Sequence, residues 1–229
     1  MDGAGPAHFA GQITMVLMLP TATDNGARLA AILPTGLAAL ALGLGHDPAD
    51  TLEAALAPRD ERSEAIVIPE SLSEVRSLIL VVVDGLGSAN LQAMRGHAPT
   101  LGALPTRRIE TVIPSTTGAA LTSLATGRLP GRHGLIGYRI RHPELGLRNT
   151  LKEWAGIDDV RSWQLADPLW GLAGALGARA AAIGRPSHAV GGLTEAILSG
   201  AEYHGAQTIA ERFAAASALL RRGPLLAYV

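Results

Sequence analysis

The stretch LILVVVDG, residues 78–85, contains six consecutive aliphatic side chains and ends in a carboxylate and a glycine. Such an aliphatic run is typical of a strand that is covered on both faces of a sheet. A carboxylate is unfavourable in such a place unless it is paired or bound to a metal ion, although Asp84 as a simple helix cap is the alternative. Ligands of α/β proteins bind at the carboxyl ends of strands, where Asp84 is predicted to lie.

A second segment, PSTTG at residues 114–118, places the hydroxyl groups of Ser115, Thr116 and Thr117 at the start of a predicted helix over residues 117–126. The free N–H groups at the start of a helix favour an anion such as phosphate. A threonine hydroxyl there needs a base or a metal ion to become a nucleophile. Taken alone, the hydroxyls of Ser115, Thr116 and Thr117 are more often helix caps. Together with Asp84, they indicate one half of a site for metal-assisted phosphoryl transfer.

The composition predicts one domain without disulfides. The chain has 229 residues, of which 48% are hydrophobic, and it contains no cysteine. We expect an N-terminal extension over residues 1–23 and a single α/β domain over residues 24–229. The formal net charge of -1 gives no reason to expect nucleic acid or a membrane as a partner.

The N-terminal region has no Lys or Arg before its short apolar run, which argues against a secretory signal. Met15 is an alternative start to Met1. The uncharged span Leu29–Gly45 approaches membrane length, but Pro34 and the glycines within it favour a buried or surface-packed helix. The expected location is cytoplasmic.

Alternating helical and aliphatic segments predict a mostly parallel sheet with helices on both faces. The predicted helices are Asp24–Leu42 with an interruption near Pro34, Thr117–Thr126 ended by Gly127, Pro168–Leu176, Gly192–Leu198 and Ala206–Arg222. The predicted strands are Leu78–Val83, Arg108–Ile113, Ala180–Ile183 and Leu225–Val229. Residues 46–63 are predicted to form a polar linker.

Three segments in chain order, VVDGL at 82–86, IPSTT at 113–117 and LATGRLPGRHG at 124–134, resemble the type I phosphodiesterase/nucleotide pyrophosphatase family of the alkaline phosphatase superfamily. The resemblance implies a three-layer αβα sandwich that hydrolyses small phosphodiesters or nucleotide pyrophosphates through a phospho-threonine intermediate. It implies two divalent metal ions, with zinc as the expected metal. Asp84 matches a metal ligand, and Thr117 matches the nucleophile, which also binds a metal. Thr116 is the reserve nucleophile, and His133 matches a structural turn.

Two departures from the family pattern affect the expected activity. Tyr138 occupies the position where well-known members carry an Asn that contacts the phosphate. The family completes its metal site with an Asp-x-x-x-His segment after a strand, then an Asp-His pair and a last His. Leu225–Val229 resembles that strand, and His142, His188 and His204 do not replace the later ligands. The chain is therefore expected to lack the C-terminal part of the fold and to be impaired in turnover.

Three alternatives to a phosphodiesterase stay open at this point. A phosphomonoesterase of the same superfamily more typically uses Ser as its nucleophile. A non-catalytic binding protein would keep the fold without the metal ions. An unrelated α/β hydrolase would use Ser115 or Ser123, but the chain has no Gly-x-Ser-x-Gly motif.

Overall fold

The structure, a computed structural model, describes residues 26–56 and 67–229, so the predicted extension over residues 1–23 lies outside the described residues. The α-helices are α1 Ala27–Ala30, α2 Ile32–Leu44, α3 Pro48–Leu56, α4 Ser88–Ala93, α5 Pro99–Ala103, α6 Thr117–Thr126, α7 Pro130–His133, α8 Leu172–Ala175, α9 Gly192–Leu198 and α10 Ile209–Leu220. Short 3₁₀ turns cover Glu70–Leu72, Arg95–His97, Val160–Ser162, Leu169–Gly171 and Pro186–His188. The strands are β1 Ser77–Leu80, β2 Arg139–His142, β3 Gly146–Asn149, β4 Arg179–Gly184, β5 Glu202–Gly205 and β6 Leu225–Tyr228.

Four of these strands form a parallel sheet in the order β1-β6-β4-β5. Leu226 of β6 pairs with Leu78 on one side and with Ala180 on the other, so β6 is a central strand. β2 and β3 form a separate antiparallel hairpin. The prediction of a mostly parallel sheet is confirmed.

Helices cover both faces of the parallel sheet. Along β6, Leu226 and Tyr228 pack into the larger core with α2, α6, α8 and α9. Leu225 and Ala227 point to the other face, where they pack with Ala216 of α10. This alternation follows from the two-residue period of a strand. The resulting three layers give the expected alkaline-phosphatase-like αβα fold.

The predicted burial of the first strand on both faces is wrong. β1 contains Ser77–Leu80 and is half-buried, while Val81 is 47% and Val83 57% exposed. β1 lies at the edge of the described sheet, and just after it the N–H of Val82 donates to the carbonyl of Val229. An aliphatic run is buried only where neighbouring elements cover it, and residues 26–56 and 67–229 cover Val81 and Val83 only in part.

Two further element predictions differ from the structure. The predicted linker over residues 46–63 contains helix α3, because Asp47 accepts a hydrogen bond from the N–H of Ala49 at 2.7 Å and Leu56 packs into the core; residues 57–63 are outside the described part. Residues 108–113 do not join a sheet. The sequence did not predict β5 or the β2–β3 hairpin, whose short strands carry polar side chains.

The apolar segment Ala27–Leu44 is the one helical span, in the part of the chain that the structure describes, long and apolar enough to cross a membrane by composition. Leu33, Leu37 and Leu40 within it are fully buried in the protein core, as the sequence predicted for a buried helix. The helix is interrupted at Ala31, close to Pro34, because proline has no N–H to bond the carbonyl of the fourth residue before it.

Candidate active site

Asp84 and Thr117 meet at the carboxyl edge of the sheet. Asp84 follows β1 in a turn where Gly85 has a φ of 77°, a conformation that glycine adopts without strain. Thr117 is the first residue of α6, and its Oγ1 donates a hydrogen bond to Oδ2 of Asp84 at 3.0 Å. The structure therefore brings together the two predicted site residues.

The hydroxyl of Thr116 has a different role from that of Thr117. Thr116 is the N-cap of α6, and its Oγ1 accepts a hydrogen bond from the N–H of Ala119 at 3.4 Å. Helix α6 ends where predicted, at Gly127, which has a φ of 67°. The capping role thus belongs to Thr116, while the hydroxyl of Thr117 faces the carboxylate.

A cavity of about 670 Å³ opens beside this pair and is lined by Asp84 and Thr117. It lies at the ends of two neighbouring strands, β4 and β5, whose following helices pack on opposite faces of the sheet. Helix α9 follows β4 on one face, and helix α10 follows β5 on the other. Ligands of parallel α/β sheets bind at such switch points.

Three basic side chains line the same cavity: Lys152, Arg185 and Arg212. They come from the loop after β3, the loop after β4 and the first turns of α10. The sequence analysis missed all three. A basic residue two positions after the predicted strand Ala180–Ile183 was the available signal for Arg185, whereas no local pattern marks Lys152 or Arg212.

Two tyrosines in the cavity are held in the protonated state. Burial raises the pKa of Tyr228 to about 12, with smaller increases from Asp84 and Tyr203 and a decrease from Arg212. Burial also raises the pKa of Tyr203, against a decrease from Arg212. Trp170 packs edge-on against Tyr228 with 5.9 Å between ring centres. Both phenol groups are therefore hydrogen-bond donors at neutral pH.

His133 is a structural residue, as its turn motif predicted. Its ring is fully buried, and Nδ1 accepts a hydrogen bond from the N–H of Leu135 at 3.2 Å. Nε2 therefore carries the proton and donates to Oγ of Ser123 at 2.9 Å. Burial lowers the pKa of His133 to about 4. Since Ser123 is also fully buried, this Ser–His pair cannot reach a substrate, which argues against Ser123 as a nucleophile.

Tyr138, at the position of the expected asparagine, is not among the residues that line the cavity. Its side chain is 49% exposed, and its backbone carbonyl accepts hydrogen bonds from the N–H and the hydroxyl of Thr150. Position 138 therefore does not supply an asparagine that could contact a phosphate in the cavity.

The metal-ligand set among the described residues is small. Asp84 and Thr117 offer a carboxylate and a hydroxyl oxygen, and His188 lines the same cavity. No group of three or more His, Asp or Glu side chains that could hold a metal ion occurs in residues 26–56 and 67–229. These residues do not fit a complete site for two zinc ions, which needs three or more protein ligands per ion.

Comparison with known proteins identifies the family. No curated protein matches the chain. A family model described as Type I phosphodiesterase / nucleotide pyrophosphatase matches residues 78–222, which include Asp84, Thr117 and the three basic residues of the cavity. Members of that family are metal-dependent hydrolases of small phosphodiester or nucleotide substrates. The chain belongs to the type I phosphodiesterase/nucleotide pyrophosphatase family.

Proposed function

We propose that the protein hydrolyses phosphate diesters or nucleotide pyrophosphates with Thr117 as the nucleophile. The observation that carries the proposal is the 3.0 Å hydrogen bond from Oγ1 of Thr117 to the carboxylate of Asp84. A carboxylate at that distance orients the hydroxyl and is placed to take its proton. The cavity beside the pair provides room for a small substrate.

The reaction has two steps at Thr117. Its oxygen bonds to phosphorus as its proton passes to the carboxylate of Asp84, while the bond from phosphorus to the leaving oxygen breaks and the leaving group takes a proton from solvent. Water then attacks the phosphorus of the phospho-threonine, the bond from phosphorus to Oγ1 breaks, and Oγ1 takes back the proton held by Asp84. The phosphate monoester is released, and the proton lost by the attacking water goes to solvent. The positive end of α6 lies at Thr117 and favours the negative charge that collects on the phosphoryl oxygens.

The proposed activity depends on divalent metal ions, with zinc as the expected metal and Asp84 and Thr117 as two of the ligands. Bound metal ions supply Lewis-acid stabilisation of the phosphoryl charge. Because the described residues do not complete a two-metal site, we propose that turnover by this chain is weak.

The nucleophile is tested by comparing Thr117→Ala with Thr116→Ala. Hydrolysis of bis(4-nitrophenyl) phosphate with added zinc should fall by at least about a hundredfold in Thr117→Ala, because the covalent step is lost. Thr116→Ala should keep the activity and lose about 1 kcal/mol of stability, because it removes only a helix cap. Retained diester hydrolysis in Thr117→Ala would show that another group is the nucleophile.

Mass spectrometry of an acid-quenched reaction provides a second measurement. With bis(4-nitrophenyl) phosphate, a 4-nitrophenyl phosphoryl group should be found on Thr117 and not on Thr116 or Ser115. Faster hydrolysis of 4-nitrophenyl phosphate than of the diester would instead favour the phosphomonoesterase alternative.

A second candidate function is phosphate-ester binding without turnover. The observation that favours it is the small ligand set among the described residues, since a cavity with basic side chains but few metal ligands suits binding better than catalysis. Saturable binding of a phosphate ester with no phospho-threonine and no hydrolysis, with zinc present, would support this alternative.

A further inference from the structure

The side chains of the cavity carry an excess of positive charge. Lys152, Arg185 and Arg212 face a single acidic side chain, that of Asp84. A phosphodiester brings one negative charge at its phosphorus. Three cations therefore exceed what one scissile phosphate and one carboxylate neutralise, and the excess indicates a ligand with a further negative charge.

Lys152 is positioned near the reacting end of the cavity. It lies two residues after Thr150, whose hydroxyl packs so closely on Gly118 that a Cβ at this glycine would lie 2.8 Å from it. Gly118 directly follows Thr117. Lys152 is thus tied to the start of α6, where the scissile phosphate would bind.

Arg185 and Arg212 line the cavity from the loop after β4 and from the first turns of α10. The carbonyl of Arg185 accepts hydrogen bonds from the hydroxyl of Tyr203 at 2.8 Å and from the N–H of His188 at 2.9 Å. Nε of Arg212 donates to the carbonyl of Ala206 at 3.2 Å. Both arginines are therefore attached to fixed backbone at the edge of the sheet.

The ends of both guanidinium groups are available to a ligand. Neither arginine forms an ion pair with another described residue, and the terminal nitrogens of Arg212 have no hydrogen-bond partner among residues 26–56 and 67–229. An arginine with unused N–H donors binds phosphate or carboxylate oxygens in a bidentate manner.

We propose that Arg185 and Arg212 are specificity-determining residues that bind a second anionic group of the substrate. The inference rests on the proposed function and narrows it: the cavity selects esters that carry a phosphate or carboxylate beyond the scissile phosphate over esters whose second group is neutral. Lys152 and the start of α6 remain for the scissile phosphate.

The test measures binding rather than turnover, so that weak catalysis does not affect it. Calorimetry in metal-free buffer compares propyl phosphate with propane-1,3-diyl bisphosphate, which differs by a second phosphate. The wild-type chain should bind the bisphosphate about a hundredfold more tightly, because charge-assisted hydrogen bonds to two arginines contribute about tenfold each. 3-Phosphooxypropanoate shows whether a carboxylate serves in place of the second phosphate.

Two variants and a matched control locate the preference. Arg185→Gln and Arg212→Gln should each reduce the preference for the bisphosphate over propyl phosphate about tenfold. Arg222→Gln, at the opposite end of α10 and outside the cavity, should keep the full preference. Arg212→Lys should retain part of it, because the charge remains while the bidentate geometry is lost.

Equal affinity of the wild-type chain for the two ligands, or no binding of either, would overturn the proposal. So would a preference that persists in the variant carrying both Gln substitutions. Failure of the proposed hydrolase function would show separately, as an absence of Thr117-dependent diester cleavage with the binding preference intact.

Discussion

A hydrogen bond joins the two residues that carry the proposed chemistry, although 33 positions separate Asp84 and Thr117 in the chain. Their residue types already indicated the pairing, because a carboxylate at a strand end and a hydroxyl at a helix start both belong at the carboxyl edge of an α/β sheet. Only the structure shows that Thr116 caps helix α6 while Thr117 bonds to Asp84. The cap geometry of Thr116 depends on where the first turn of α6 begins.

His133 makes the stability of the protein dependent on pH. Its pKa is about 4 in the folded chain, below the ordinary value of 6.5 that it has when unfolded. Protons therefore bind preferentially to the unfolded chain between these values, so the contribution of His133 to stability is present above pH 6.5 and is lost as the pH falls toward 4. We expect a loss of about 2 kcal/mol between pH 7 and pH 5 from this residue.

Urea unfolding of the wild-type chain and of His133→Gln at the two pH values measures this loss. The decrease in the free energy of unfolding from pH 7 to pH 5 should be smaller in the variant by about 2 kcal/mol. An equal decrease in both proteins would mean that His133 is not buried in its neutral form.

At the scale of elements, helices with clear end signals were predicted well and strands less well. α6 and α9 have the predicted bounds, Thr117–Thr126 and Gly192–Leu198. A helix is closed by its own local hydrogen bonds, so its ends follow from nearby residues. A strand needs a partner, and the aliphatic residues at 108–113 lack one in the described sheet.

The close approach of α2 to the loop before β1 gives a prediction for a glycine. A Cβ added at Gly43 would lie 1.9 Å from the backbone carbonyl oxygen of Val75, so Gly43→Ala should destabilise the protein by about 3 kcal/mol. Gly174 in α8 is the matched control, because a Cβ there meets nothing within 4 Å.

Thermal or urea unfolding of the two variants checks this contact. Gly174→Ala should be neutral or up to about 1 kcal/mol more stable, because alanine is the better helix former. If Gly43→Ala behaved like Gly174→Ala, α2 would not pack against the Val75 backbone as described.

At the scale of the whole molecule, strand order creates the candidate site. Helix α9 connects β4 to its neighbour β5 at one edge of the sheet. Helix α10 connects β5 back to β6, which lies between β4 and β1, so α9 and α10 pack on opposite faces of the sheet. The cavity opens at this switch and collects Lys152, Arg185 and Arg212 from three distant segments.

The metal content of the whole chain is a direct test of the ligand set. We expect equilibrium dialysis to find less than one tightly held zinc ion per chain, and Asp84→Ala to abolish the binding that remains, because residues 26–56 and 67–229 contain no group of three or more side chains that could hold a metal ion. Two tightly held zinc ions per chain would contradict this expectation. Lys152→Ala is the control, since an ammonium group does not bind zinc.

The sequence by itself determined the family, the ends of α6 and the residues of the Asp84–Thr117 pair. Motifs and helix caps consist of residues close together in the chain, so they can be recognised without knowledge of the fold. Only the tertiary structure decided which aliphatic residues are covered and which charges share a cavity. Val81 and Val83 have the residue type of a core strand, yet they are exposed since β1 is an edge strand of the described sheet. Arg185 and Arg212 are unremarkable in sequence and meet only because long-range packing sets the strand order.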